Sequence, residues 1–220
     1  MELTRQIDIY CERTDLSFWS EPVNAVSNLA FLIAALVMWR RTRGENLPVA
    51  TALVAFLALT GVGSTLWHTF AAVWSVMLDV LGIFLFSITY VFAANRDFWR
   101  LPLWTAIGAT ALFFPYAAAV SWAVEFVPFL RISGSYWSLA LLIALYAAAL
   151  ARRAPATSRG LALGAGILVV SLVFRSLDET ICENISIGTH FMWHLLNGVM
   201  LGWMIEVYRR HMVASRAGAV

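Results

Sequence analysis

The sequence predicts an all-α membrane protein: a bundle of seven transmembrane helices, with the N-terminus outside and the C-terminus in the cytoplasm. Three observations carry this. The 220 residues are 61% hydrophobic and only 13% charged, whereas soluble domains are about half apolar and roughly a quarter charged. The apolar residues come in long blocks, several reaching the roughly 20 residues that a hydrocarbon core about 30 Å thick requires. The polar and charged residues gather in short connectors between those blocks.

In chain order, residues 1–22 form an acidic outer segment. Glu2, Arg5, Asp8, Glu12, Arg13, Asp15 and Glu21 precede any apolar run, which is unlike a secretory signal that begins basic and turns apolar at once. Apolar blocks then predict spans at 23–39, 48–69, 73–94, 101–119, 135–151, 160–177 and 189–208. Arg40 to Asn46 before Pro48, Asn95-Arg96-Asp97 before Pro102, and Arg152-Arg153-Ala154-Pro155 punctuate them. The stretch 116–134 is apolar but interrupted by Glu125, Pro128 and Arg131. It reads as an outer loop with an interfacial piece, an eighth short span being the alternative. Residues 209–220 read as a cytoplasmic tail. The whole of 1–220 is thus one membrane-embedded domain, with the bundle at 23–208.

Orientation follows from the basic residues, all 15 of which are arginine. Arg40, Arg41, Arg43, Arg96, Arg100, Arg152, Arg153, Arg159, Arg209, Arg210 and Arg216 fall on one side of the seven-span arrangement. Only Arg5, Arg13, Arg131 and Arg175 fall on the other. The positive-inside rule places the larger set in the cytoplasm, and an eighth span would upset this alternation. No basic run is interleaved with aromatics, so nucleic acid is not an expected partner. Both cysteines, Cys11 and Cys182, lie on the outer side. There they can pair or stand as two loop thiols.

Ionisable side chains at membrane depth are costly and mark function. They are His68, Asp79, Asp178, Glu179, His190, His194 and Glu206. Glu206, beside Tyr208 and Arg209, reads as interfacial. His190 and His194 are i and i+4 on one helix face, a zinc-binding spacing although the full His-Glu-x-x-His motif is absent. The plainer reading is two polar residues bonded to neighbouring helices. His68 ends the second span at the same face, giving three ligands with an open fourth position, the pattern of catalytic zinc. The fourth histidine, His211, falls in the tail and reads as solvated. Ser64 shares a face with His68, and Asp79 lies just inside the third span. A carboxylate there suits a general base and a serine hydroxyl suits an oxyanion donor. Their plainer roles are a back-bonded membrane serine and a carboxylate supporting a ligand histidine. The cluster Asp8, Glu12, Asp15 and Glu21 suits Ca²⁺ by ligand type, but a solvated acidic loop is its default reading.

Several stretches, in order, resemble the alkaline ceramidase family of seven-helix membrane hydrolases. They are Tyr10-Cys11-Glu12, Glu21-Pro22-Val23-Asn24-Ala25-Val26-Ser27-Asn28, Gly63-Ser64-Thr65-Leu66-Trp67-His68, Leu78-Asp79, and Asp178 to the closing His190-Phe191-Met192-Trp193-His194. The Ser-x-x-x-His with a late His-x-x-x-His is shared with a wider superfamily that includes adiponectin-receptor-like proteins. The resemblance implies a hydrolase of linear amide C–N bonds, cleaving the N-acyl bond of ceramide or a related N-acylated lipid. It implies Zn²⁺ on His68, His190 and His194, with Asp79 and Ser64 catalytic. It further implies Ca²⁺ held by a set drawn from Asp8, Tyr10, Glu12, Asp15 and Glu21, and a Cys11–Cys182 disulfide. The chain departs from the family pattern where Asp-Trp-Cys-Glu reads Ile9-Tyr10-Cys11-Glu12, and where the segment between Glu12 and Glu21 is about two residues short. Competing readings are a lipid-sensing receptor with structural zinc and, third, an ion-coupled transporter, which an internal repeat would support. The expected location is a bacterial inner membrane, with the site toward the outer face.

Overall fold

In a computed structural model that describes residues 2–218, the regular structure is helical, with one isolated β-bridge and no strand among the described residues. The principal helices are α1 (Pro22–Thr42), α2 (Pro48–Phe70), α3 (Val73–Phe98), α4 (Leu103–Glu125), α5 (Gly134–Leu150), α6 (Pro155–Leu177) and α7 (His190–Arg216). Each segment read as a span falls on one of them, overrunning its ends by at most two residues. Five of them (α1 to α4 and α6) are long and apolar enough to cross a membrane; α5 is apolar but has 17 residues. Their outward faces carry Ile33, Met77, Trp104, Leu112 and Val199 exposed, as a bilayer-facing surface requires.

Local chemistry sets the boundaries. Pro22, Pro48 and Pro155 occupy first-turn positions, where a missing N–H leaves no bond unmade. Helix α1 bends at Asn28. There Ser27 Oγ and Asn28 Nδ2 both donate to the Asn24 carbonyl, at 2.8 and 2.9 Å, and such back-bonding bends helices. Helix α4 bends at Leu112, four residues after Gly108 and just before Pro115, whose ring nitrogen cannot bond the preceding turn. The α2–α3 turn places Ala71 at φ 45°, a left-handed conformation that costs a residue with a Cβ about 1–2 kcal/mol. Ala71→Gly is therefore expected to stabilise the protein by about 0.5–1 kcal/mol after glycine's entropy loss is subtracted. A thermal melt in detergent would show a rise of ~1–4 °C; a lower midpoint would contradict the strain argument.

Neighbours in the bundle run α3, α2, α1, α7, α6, α5, α4. Helices α2 and α3 meet backbone to backbone: a Cβ on Gly63 would lie 2.7 Å from the Leu78 carbonyl oxygen, and one on Gly82 would lie 2.7 Å from Thr60 N. Small residues permit this approach where burial gives no net hydrophobic pull between helices. The close contact carries Ser64 and Asp79 toward the bundle interior, where both line an apolar cavity. Its other walls come from Phe86, Tyr136, Trp193 and Met204.

The structure corrects three expectations. Residues 116–125 are not an outer loop: they continue α4, with only the one-turn helix Pro128–Arg131 beyond it. The tail is not a separate element, because α7 runs on to Arg216. His211 is not solvated but 4% exposed, with Nδ1 2.8 Å from Thr157 Oγ1. The extension persists because Glu206 is a hub. It receives Arg41, Arg209 and Arg210 at 2.7–3.1 Å, while Arg209 also reaches Glu45 at 2.6 Å. These pairs tie the end of α7 to the α1–α2 connector.

Candidate metal centre

His68 lies in the last turn of α2, and His190 and His194 lie in the first turns of α7. The three rings are 1–2% exposed and their centroids stand 4.6 to 5.1 Å apart. Each offers a nitrogen within 4.8 Å of the other two. His68 Nε2, His190 Nδ1 and His194 Nε2 are buried without a hydrogen-bond partner. A buried polar atom left unpaired costs about 1–3 kcal/mol. A donor nitrogen on each of three buried rings, all within 4.8 Å of one another, is the signature of a shared ligand, and three imidazoles suit a divalent transition metal. The donor set therefore fits a metal ion.

The opposite ring nitrogens are held. His68 Nδ1 meets Glu21 Oε2 at 2.6 Å, and His194 Nδ1 meets Ser27 Oγ at 2.8 Å. Such partners fix the ring orientation and tautomer of metal-binding histidines. Tyr10 stacks on His190, centroids 3.8 Å apart, and burial holds its phenol above the ordinary range. Burial pushes the Glu21 carboxyl up, but hydrogen bonds and charge from His68 and Arg13 outweigh it and keep it below the usual carboxylate value.

The start of α7 is positioned from outside the helix. Asp178 Oδ1 accepts from Thr189 N and His190 N, at 2.6 and 2.8 Å. Its Oδ2 accepts from Cys11 N at 3.2 Å. A carboxylate on free helix-terminal N–H groups is favourable both as a cap and against the helix dipole. The Cys11–Cys182 disulfide closes the same junction. At the other side of the centre, Ile7 N donates to the Ala71 carbonyl at 2.7 Å. The N-terminal segment is thus fastened across the ends of α2, α3 and α7.

Of the residues singled out in the sequence, His68, His190 and His194 come together. Ser64 and Asp79 both lie at the cavity wall. The five residues assigned to calcium do not converge. Both Glu12 oxygens are taken by the Val23 and Asn24 amides, at 2.6 and 2.7 Å. Burial raises the Glu12 carboxyl, partly offset by those amides. Glu21 is taken by His68, Arg13 and Asn24. Asp8 and Asp15 are exposed, Tyr10 is on His190, and the three histidines are the only group of metal-donor side chains found among the described residues. The donors present do not fit a calcium ion.

Sequence reasoning gave no role to Ser27 or Arg13. For Ser27 the available signal was a hydroxyl inside an otherwise apolar first span. For Arg13 it was a cation inside an acidic cluster.

A family model described as Ceramidase matches residues 4–217. No curated protein matches the chain. The family match takes in both halves of the metal centre, the N-terminal segment and every principal helix, and the chain belongs to the ceramidase family.

Proposed function

We propose that the protein is a zinc-dependent amidase that hydrolyses the N-acyl bond of ceramide or a related N-acylated lipid within the membrane. The carrying observation is the convergence of three buried imidazoles, with Ser64 one turn before His68 on α2 and with Ser64 and Asp79 lining an apolar cavity. Membership of the ceramidase family supplies the amide-bearing lipid as substrate class.

His68, His190 and His194 would hold the zinc, which when bound supplies Lewis acidity toward a carbonyl oxygen and toward water. The chain's own residues do the rest. The cavity runs beside α3 from Asp79 to Tyr90, roughly 16 Å of helix, and accepts an acyl or long-chain base tail. This leaves the amide near Ser64. The Ser64 hydroxyl donates to the amide oxygen as negative charge develops there. Asp79 accepts a proton from the water whose oxygen adds to the carbonyl carbon. It returns that proton to the nitrogen as the C–N bond breaks. A fatty acid and a free amine result. Helix α7 begins at the centre and ends among Arg209, Arg210 and Arg216. The positive-inside rule then turns the centre away from the cytoplasm.

The test uses the purified full chain in detergent. Metal analysis is expected to find about one zinc per chain, as three-ligand catalytic sites hold. Fatty-acid release from ceramides and other N-acyl lipids is expected to stop on zinc chelation and return on zinc addition. A zinc-loaded protein that hydrolyses none of these lipids would remove the amidase reading.

A further inference from the structure

We propose that Arg13 is the built-in cation of the N-terminal segment, a positioning residue that holds His68 for the metal and leaves the segment with no need of calcium. The inference rests on the histidine centre described above.

Arg13 lies among acidic neighbours, where a solvated side chain is the ordinary expectation. Instead its side chain is 1% exposed, against 3% for Glu21. Nε donates to Glu21 Oε1 at 2.5 Å. Nη1 donates to the Asp15 and Ser17 carbonyls, at 3.1 and 3.3 Å. Nη2 donates to the His68 carbonyl at 3.2 Å. One carboxylate and three backbone carbonyls therefore surround a single positive charge. These are the oxygen types a calcium loop presents, here engaged by the planar fork of a guanidinium. A divalent ion placed on the same oxygens would face that guanidinium at close range, and like charges disfavour it. The other carboxylate of the segment, Glu12, is not free to compensate, because two backbone amides occupy it.

The consequence for the centre is direct. Arg13 grips His68 twice: at its carbonyl through Nη2, and at its ring through Glu21, whose second oxygen meets Nδ1 at 2.6 Å. The guanidinium also gives the buried Glu21 carboxylate a counter-charge, while its second oxygen is aimed at the ring. Removing Arg13 leaves Glu21 buried beside one histidine with no counter-charge, and the orientation of His68 relaxes.

Two measurements on the full chain in detergent test this. The first compares thermal unfolding of the wild type in excess chelator selective for calcium with unfolding in millimolar Ca²⁺. The two midpoints are expected to coincide; a midpoint several degrees higher in Ca²⁺ overturns the proposal. This comparison requires no bound zinc, so it decides the matter even if the histidine centre binds none, a result that would instead remove the zinc reading. The second measures zinc affinity by competition with a chromophoric chelator. Arg13→Met is expected to weaken zinc about 10–100-fold, as loss of a partner behind a ligand histidine does. Arg13→Lys keeps the charge but not the fork, and is expected to fall between the two. Wild-type zinc affinity in Arg13→Met overturns the proposal. If that variant fails to fold, wild-type affinity in Arg13→Lys does so.

Discussion

Asp79→Asn is expected to lower lipid hydrolysis by about 10²–10⁴-fold, the usual contribution of a positioned general base, while zinc stays bound. Asparagine keeps the shape of the side chain and an oxygen for Ser64, so the cavity wall is preserved. What it loses is the ability to take a proton. Asp79 does not belong to the group of three side chains whose donor atoms converge, so metal content should be indifferent to the change. His194→Ala should behave differently and lose both. It removes one of three converging nitrogens and leaves Ser27 Oγ without its 2.8 Å partner. Zinc affinity is expected to fall by more than about 100-fold, the upper range seen when only an outer partner is lost. Metal analysis and single-turnover fatty-acid release on both variants separate the cases. Full hydrolysis in either would falsify the assignment of that residue. Loss of zinc in Asp79→Asn would move Asp79 from proton acceptor to metal support.

The parts of this arrangement that were legible in the sequence share a property. Each depends on short-range spacing or on a cost that the bilayer makes general. The i, i+4 pair His190 and His194 is fixed by helix geometry, and a histidine at membrane depth demands an explanation wherever the chain folds. Pro48 and Pro155 announce helix starts by the same local chemistry. The misreadings come from residues whose meaning is set at a distance. Glu125, Pro128 and Arg131 make 116–134 look like an outer loop, yet α4 continues to Glu125. His211 looks like tail, yet Thr157 of α6 meets it because the Glu206 arginine hub prolongs α7. Arg13 looks like one more surface charge. Its burial depends on the N-terminal segment being closed over α2 and α7 by a disulfide between residues 171 apart, and on Glu21 being shared with His68. No local pattern encodes that closure. The resemblance to the ceramidase family carried the disulfide that the structure holds; of the calcium ligand set it also carried, Glu12 and Glu21 are engaged by backbone amides, Arg13 and His68.

The junction that sets His190 rests on one glycine, and Gly188→Ala is expected to be the most disruptive single-methyl change in the centre. Gly188 adopts φ +60°, and an added Cβ would lie 2.1 Å from Asp178 Oδ1 and 2.8 Å from Cys11 Cβ. The first contact cannot be tolerated, so Asp178 must move. Its Oδ1 is the acceptor for Thr189 N and His190 N, and its Oδ2 serves Cys11 N. The left-handed backbone costs alanine about 1–2 kcal/mol, and loss of a helix cap costs about 1 kcal/mol more. Together with the displaced carboxylate, the change amounts to about 3 kcal/mol, or ~6–12 °C in the unfolding midpoint of a chain this size. Zinc affinity should fall as well, because the first turn of α7 carries His190 and, one turn later, His194. Asp178→Asn separates the two causes. It keeps an acceptor oxygen and leaves the glycine conformation unstrained, so a smaller loss of stability is expected. A Gly188→Ala protein that melts with the wild type and holds zinc equally well would show that the start of α7 is not set by Asp178. The positioning of His190 would then have to come from the Tyr10 stack alone.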